Sequence, residues 1–316
     1  LGISGQDGAF LAEFLVKQGY DVVGTSRDAQ TTPFNNLQRL GLLDRVQLRS
    51  LSLLDFRSMV ELLRSERPSE IYNLAGQTSV GLSFDQPIET LESVTTGTLT
   101  LLEAIRLSNL PVRLYNAGSG EVFGDTDDKP VNEQSVFKPR SPYGIAKASA
   151  FWYVANYRES YNMHASTGIL FNHESNFRPA RFVTQKIIRA ACDIHLKKTG
   201  RLKLGNIDIA RDWGWAPEYV QAMWKMLQLD TPQDFVIATG KTSTLEHFID
   251  CAFGYFGLRW QDWVDLDASF RRPSDIKCSS ADPSKANRIL GWQASLKMED
   301  VVRMMIEAHL ADLKIK

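Results

Sequence analysis

The chain has little cysteine, no excess of charge of either sign and no long apolar run, and each shortage excludes a class of protein. Its three cysteines, Cys192, Cys251 and Cys278, show neither CxxC nor metal-ligand spacing. A disulfide scaffold and a structural metal centre are therefore not expected, and a reducing, cytoplasmic setting is. Lys and Arg number 36 against 37 Asp and Glu, leaving a net charge of -1. That balance offers no basic stripe to nucleic acid and no polybasic anchor to a membrane. No stretch approaches the roughly 18 consecutive apolar residues of a spanning helix, and no signal-peptide pattern is read. What remains is ordinary for a globular protein: 43% apolar and 23% charged residues over 316 positions, enough for one large domain or two.

The first eight residues, Leu1-Gly2-Ile3-Ser4-Gly5-Gln6-Asp7-Gly8, form a GxxGxxG run that enters the helical pattern Ala9-Phe10-Leu11-Ala12-Glu13-Phe14-Leu15-Val16. Glycines allow the tight backbone approach of a phosphate-binding turn, and the helix start supplies free N–H groups for a pyrophosphate. Such a turn needs a strand before it, so a few native residues are expected ahead of Leu1. Tyr20-Asp21-Val22-Val23-Gly24-Thr25 reads as the second strand and ends in Ser26-Arg27 with no acid at its tip. An acidic tip would accept the ribose hydroxyls of NAD. Arg27 suits the 2′-phosphate of NADP instead, or is simply a solvated loop arginine.

Strand and helix patterns then alternate. Residues 46–51 read as a strand, 56–65 as a helix, 70–76 as a strand, 94–108 as a helix and 112–117 as a strand. This is the pattern of a doubly wound, Rossmann-like parallel sheet. Beyond about residue 180 the alternation loosens, which points to a smaller C-terminal α/β lobe lying over a cleft. The expected division is a cofactor domain over 1–170, receiving further elements from about 208–238, and a substrate lobe from 171–207 and 239–316.

Two features carry chemistry. In Ser141-Pro142-Tyr143-Gly144-Ile145-Ala146-Lys147, Tyr143 and Lys147 stand four residues apart and share a helix face. An ammonium beside a phenol stabilises the phenolate and so lowers its pKa, and such a pair could exchange a proton with a hydroxyl while a nicotinamide exchanges hydride. The strand at 112–117 runs into Gly118-Ser119-Gly120-Glu121, at the sheet edge where ligands sit in this architecture. There Ser119 could donate to a substrate oxygen and Glu121 could act as a base. Arg178, Arg211 and Arg272 fit a diphosphate by charge and fork geometry, or are surface ion pairs.

With SGQDGAFLAEFL, NLAGQTSV, SPYGIAKASAFWYVANYRESYNMHASTGILFNHES, LGNIDIARDWGWAPEYVQAMWKML and DFVIATG, the chain resembles the extended short-chain dehydrogenase/reductases. Within them it is similar to the GDP-mannose 4,6-dehydratases over essentially its whole length. The resemblance implies NADP held by Gly2, Gly5, Gln6, Asp7 and Gly8, by Arg27, Ser52 and Leu53, by Leu74, Ala75 and Gln77, and by His173 and Arg178, together with Tyr143 and Lys147. It implies a GDP-sugar held by Ser79, Asn172, Lys186, Asn206, Arg211 and Arg272. Ser119, Glu121, Tyr143 and Lys147 are the implied catalytic set. The implied reaction is dehydration of GDP-D-mannose to GDP-4-keto-6-deoxy-D-mannose, with hydride passing internally from C4 to C6.

The chain also departs from that family. Gly118-Ser119-Gly120-Glu121 stands where Ser-Thr-Ser-Glu is usual, and Gly120 lacks the hydroxyl that could assist water loss. Leu51-Ser52 replaces a Gly-Asp pair, Asn176 and Pro179 alter the loop of Arg178, and Val94 replaces a polar residue. The alternatives are a GDP-4-keto-6-deoxy-sugar reductase, a nucleotide-sugar 4-epimerase, or a non-catalytic NADP-binding regulator. The resemblance further implies a homodimer seamed by helices 94–108 and 143–159, or a homotetramer paired through the loop near 27–37. Ala148, Phe151, Trp152 and Val154 suit such a seam or an ordinary core face.

Overall fold

The computed structural model describes residues 1–196, 200–270 and 273–314. Its main sheet is parallel. Glu70–Asn73, Arg113–Ala117, Ala165–Leu170 and Phe235–Ile237 lie side by side, and Gln47–Ser50 pairs with Val23–Ser26. Residues 1–3 stitch the two groups together. The N–H groups of Gly2 and Ile3 both donate to the Thr25 carbonyl, and Leu74 N–H donates to the Leu1 carbonyl. The resulting order places the glycine turn at the centre of the sheet, where the crossovers reverse direction and a cleft opens.

Helices cover both faces, as buried parallel strands require. Gln6–Lys17 packs against Ala216–Leu227 through Phe10, Leu11, Leu15, Met223 and Met226, all in one buried cluster. On the opposite face, Phe56–Glu66, Gly97–Ser108 and Pro142–Tyr161 bury Met59, Leu63, Leu101, Leu102 and Val154. Arg158 of the last of these forms a bidentate bond with Asp234 at 2.9 and 2.6 Å, tying the helix to the strand that follows Asp234.

The smaller lobe has its own core of Ile187, Ile188, Phe248, Ile249, Val301, Val302 and Met305. Its helices Val183–His195, Leu245–Gly254 and Met298–Lys314 enclose two small sheets. In one, Ala210–Trp215 runs parallel to Asn172–Glu174 and antiparallel to Thr242–Thr244. In the other, Leu202–Leu204 pairs with Val264–Leu266.

A short helix, Asn35–Arg39, lies between the Val23–Ser26 and Gln47–Ser50 strands. Helix 94–108 is shorter than read. A π-helical turn, Glu92–Thr96, leads into Gly97–Ser108. The short strands Asn172–Glu174, Ala210–Trp215 and Thr242–Thr244 escaped the pattern because three to six residues give too little alternation to read.

Candidate active site

The strand Arg113–Ala117 and the helix Pro142–Tyr161 converge on one wall of the cleft. Ser141 caps the helix, accepting from Gly144 N–H at 3.0 Å, and Pro142 follows in the first turn. These devices fix the helix start, so Tyr143 and Lys147 are both buried and both face the cleft. Ser119 sits just past the end of the neighbouring strand, within hydrogen-bonding reach of the Tyr143 hydroxyl. Its own Oγ accepts from Glu121 N–H at 3.3 Å. Ser119, Glu121, Tyr143 and Lys147 therefore line a single cleft, which offers about 380 Å³.

The Tyr143 phenol departs from the sequence expectation. Burial pushes it up to about 12; the Ser119 bond lowers it and the Glu121 charge raises it, so the net is upward. Lys147 does not offset this, because its Nζ donates to the Ala117 carbonyl at 2.6 Å and lies 5.8 Å from the Tyr143 ring centroid. Burial itself lowers Lys147 to about 8, against a smaller rise from Asp7. The four-residue spacing brings the two side chains onto one face, but low polarity around them dominates both titrations.

The glycine turn is built for close approach. Gly2 has a φ of +82°, and a Cβ on Gly8 would stand 2.4 Å from the Gly2 carbonyl oxygen. The helix Gln6–Lys17 starts at Gly5 with no side chain capping its N–H groups. Asp7 and His173 lock this turn to the Asn172–Glu174 strand. His173 Nε2 meets Asp7 at 2.8 Å and its Nδ1 meets the Phe171 carbonyl at 2.7 Å. A carboxylate and a carbonyl can only accept, so both ring nitrogens must carry protons. Burial disfavours that charge, yet Asp7 outweighs it and holds the His173 pKa above its ordinary value. Burial likewise raises Asp7, but His173, Gln6 and Arg178 together bring it down to about 2.

On the opposite wall, Asn172, Arg178, Lys186, Asn206 and Arg211 line the cleft with Ser79 and Leu74. Arg178 Nε lies 3.1 Å from buried Glu174, with its guanidinium 3.9 Å from the Phe182 ring centroid. Arg211 is 3.4 Å from Asp275 and donates to the Ala210 carbonyl. Of the remaining residues singled out by sequence, Gln6 turns inward to Ser175 and the His173 carbonyl. Gln77 braces its own loop by bonding Thr90 and Ser79. Leu53 packs on Gly97, Ala75 on Gly2, and Ser52 lies exposed. Arg27 stands at the strand tip, highly exposed and 3.9 Å from Glu89. Arg272 lies outside the described residues. The cleft also contains Thr78, Arg181, Lys203, Phe270 and Asp275, which the sequence reading passed over. Arg181 is three residues from Arg178.

Gly120 is packed rather than empty. A Cβ there would lie 3.0–3.1 Å from ring carbons of Phe171. The aromatic ring occupies the side of the turn toward which a longer residue would project.

A doubly wound sheet, a glycine turn at its centre, and Ser119, Tyr143 and Lys147 in one cleft define an extended short-chain dehydrogenase/reductase. Solved structures agree on the fold. A dTDP-glucose 4,6-dehydratase from Streptomyces venezuelae, solved with NAD and TYD, superposes with a TM-score of 0.88 at 19% identity, covering 98% of this chain and 96% of that one. A UDP-glucose 4-epimerase from Thermotoga maritima, solved with UDP-glucose, superposes with a TM-score of 0.87 at 21% identity, covering 99% and 98%. Sequence comparison is more specific. The GDP-mannose 4,6 dehydratase family model matches residues 1–305. GDP-mannose 4,6 dehydratase 1 of Arabidopsis thaliana is 43% identical over 322 residues, 98% of this chain and 88% of its own. GDP-mannose 4,6-dehydratase of Sinorhizobium fredii is 40% identical over 341 residues, 99% and 96%. The chain belongs to the GDP-mannose 4,6-dehydratase family.

Proposed function

We propose that the protein is an NADP-dependent hydro-lyase converting GDP-D-mannose to GDP-4-keto-6-deoxy-D-mannose. The observation that carries this reading is the position of Glu121 in the same cleft as Ser119 and Tyr143. A Ser–Tyr–Lys set alone serves oxidation of a carbinol or reduction of a carbonyl. A further carboxylate beside it gives a base for a proton on carbon.

The uncapped turn at Gly5, closed by Gly2 and Gly8, fits a dinucleotide diphosphate. Arg27 favours a 2′-phosphate, because the carboxylate of neighbouring Asp28 is engaged by Thr31 and Gln30 within its own loop. When bound, NADP supplies the acceptor and later the donor for the hydride moved from C4 to C6. The chain's own residues manage the protons. Ser119 holds the sugar O4 and Tyr143 takes its proton. Lys147, once its bond to the Ala117 carbonyl is exchanged for the cofactor ribose, brings positive charge to the phenol. Glu121 takes the C5 proton made acidic by the 4-ketone and passes it to the C6 hydroxyl, which leaves as water as the C5–C6 double bond forms; when the hydride adds to C6, the proton held by Tyr143 goes to C5. Lys186 and Arg211 provide cations for the GDP diphosphate, Asn172 and Asn206 provide amides, and Arg178 serves the cofactor.

Incubation of the purified protein with GDP-mannose and a catalytic quantity of NADP⁺ tests the reading. The expected result is accumulation of the 4-keto-6-deoxy product without net cofactor turnover. The absence of a hydroxyl at Gly120 keeps a second reading in view, a GDP-4-keto-6-deoxy-sugar reductase. Stoichiometric NADPH consumption on the keto sugar, with no dehydration of GDP-mannose, would establish that reading and displace ours.

A homodimer is part of the same proposal. Ile145, Trp152 and Tyr153 lie exposed on the helix Pro142–Tyr161, and Ile88 and Leu91 are exposed on Pro87–Leu91, which packs against it. An apolar surface of this kind suits a second copy. Sedimentation at micromolar concentration should show a dimer or tetramer, and a Trp152→Glu variant should shift toward monomer. Among the described residues no helix is long and apolar enough to cross a membrane.

A further inference from the structure

Glu89 has no part in the proposed chemistry, yet it is the acid that faces Arg27. Its Oε1 lies 3.9 Å from the Arg27 guanidinium, and both side chains are largely exposed. Asp28, next to Arg27 in sequence, is not that partner. Its carboxylate accepts from the N–H groups of Gln30 and Thr31 and from the Thr31 hydroxyl, and is turned into its own loop.

The helix Pro87–Leu91 that carries Glu89 is fixed where it stands. Gln77 Nε2 donates to Thr90 Oγ1 at 3.1 Å, and Gln77 N–H donates to Ser93 Oγ at 3.2 Å. Gly76 adopts a φ of +117°, and a Cβ there would stand 3.1 Å from the Ser93 carbonyl oxygen. The loop after the Glu70–Asn73 strand, on the cofactor side of the sheet, thus holds Glu89 opposite the tip of the Val23–Ser26 strand. Two charged groups carried on separate elements face each other at the tip of the Val23–Ser26 strand.

We infer that Glu89 is a cofactor-specificity residue, which weakens binding of the 2′-phosphorylated dinucleotide by competing for Arg27 and adding a negative charge beside it. The inference rests on the NADP reading above and sharpens it. A 2′-phosphate must share or displace the carboxylate from Arg27, whereas the ribose hydroxyls of NAD carry no charge to oppose it. The effect is a screened surface interaction, so it is modest and falls with salt.

The test is equilibrium binding of NADP⁺ and NAD⁺ by titration calorimetry to the wild type, Glu89→Gln and Arg27→Gln, at low and at high ionic strength. Glu89→Gln is isosteric and exposed, so the fold is retained. At low salt it should tighten NADP⁺ by about two- to five-fold and leave NAD⁺ unchanged or weaker, with the difference shrinking at high salt. Equal changes for both dinucleotides, or weaker NADP⁺ binding, would overturn the inference while leaving the NADP reading standing. Arg27→Gln weakening NADP⁺ and NAD⁺ alike would overturn that reading, and the inference with it.

Discussion

Replacing His173 by Gln removes one charge from a buried pair, and its consequences can be worked through. Asp7 and His173 meet at 2.8 Å, with their side chains 22% and 10% exposed. The Asp7 pKa is held at about 2 instead of 3.8. At about 1.4 kcal/mol per unit, that difference is about 2 kcal/mol of native-state stabilisation at neutral pH. In His173→Gln, Asp7 keeps its bond from Gln6 and the charge of Arg178 but loses the imidazolium, so a loss of about 2–3 kcal/mol is expected. For a chain of this size the melting temperature should fall by roughly 4–10 °C. The pH dependence gives the sharper signature. The folded pKa of His173 lies above its ordinary 6.5, so its contribution is complete below 6.5 and is lost as pH rises through the folded value. Asp7 is depressed, so its contribution is present above 3.8 and lost as pH falls toward about 2. Arg178 also faces the pair and opposes the His173 charge, and neutral Tyr219 stacks on its ring at 4.7 Å. Melting curves of the cofactor-free protein across pH 5–9 should therefore decline on the alkaline side in the wild type. In His173→Gln the decline should be smaller. If the two proteins show the same alkaline slope, the imidazolium assignment is wrong.

Glu121→Gln should reduce dehydration by about 10²- to 10⁴-fold while sparing oxidation at C4; rapid-mixing absorbance of the reduced nicotinamide with GDP-mannose separates the two steps. Gly120→Ser must push the Phe171 ring aside by a few tenths of an ångström. A cost of about 1–2 kcal/mol in chemical denaturation is expected, together with faster water loss if the missing hydroxyl limits elimination. Asp234→Asn leaves Arg158 buried beside a neutral partner, in place of a bidentate carboxylate with side-chain exposures of 18% and 11%. It should cost about 3 kcal/mol without altering cofactor selectivity, measured by denaturant unfolding alongside dinucleotide titration.

How far the sequence could be read depended on whether a signal was local. The parallel sheet was legible because each strand and helix is long enough to show its own period, and the turn from Gly2 to Gly8 announces close backbone packing by composition. The strands of the second lobe were not, because at three to six residues they exist through pairing with partners distant in the chain. Asn172–Glu174 finds Ala210–Trp215 across nearly forty intervening residues. Tyr143 and Lys147 were legible as a pair on one helix face, but their titration was not. Burial decides it, in a packed environment where Lys147 is held by the carbonyl of Ala117, thirty positions earlier.

Ala117 also shows how the two halves of the proposed site depend on each other. Lys147 is held at the end of the Arg113–Ala117 strand, beside the turn that carries Ser119 and Glu121. In this arrangement burial holds the Tyr143 pKa up to about 12 and the Lys147 ammonium is engaged by the Ala117 carbonyl. A ligand that draws Lys147 from the carbonyl would at once bring positive charge toward Tyr143 and leave the Ala117 oxygen to find another donor. On the NADP reading, cofactor binding should thus lower the Tyr143 pKa from about 12. Difference absorbance of tyrosinate on titration from pH 8 to 12, with and without NADP⁺, measures it, with Tyr143→Phe as the control that must remove the shifted component. A Tyr143 titration that is the same with and without saturating cofactor would mean that Lys147 stays on Ala117, and that the phenol is activated by some group other than this lysine.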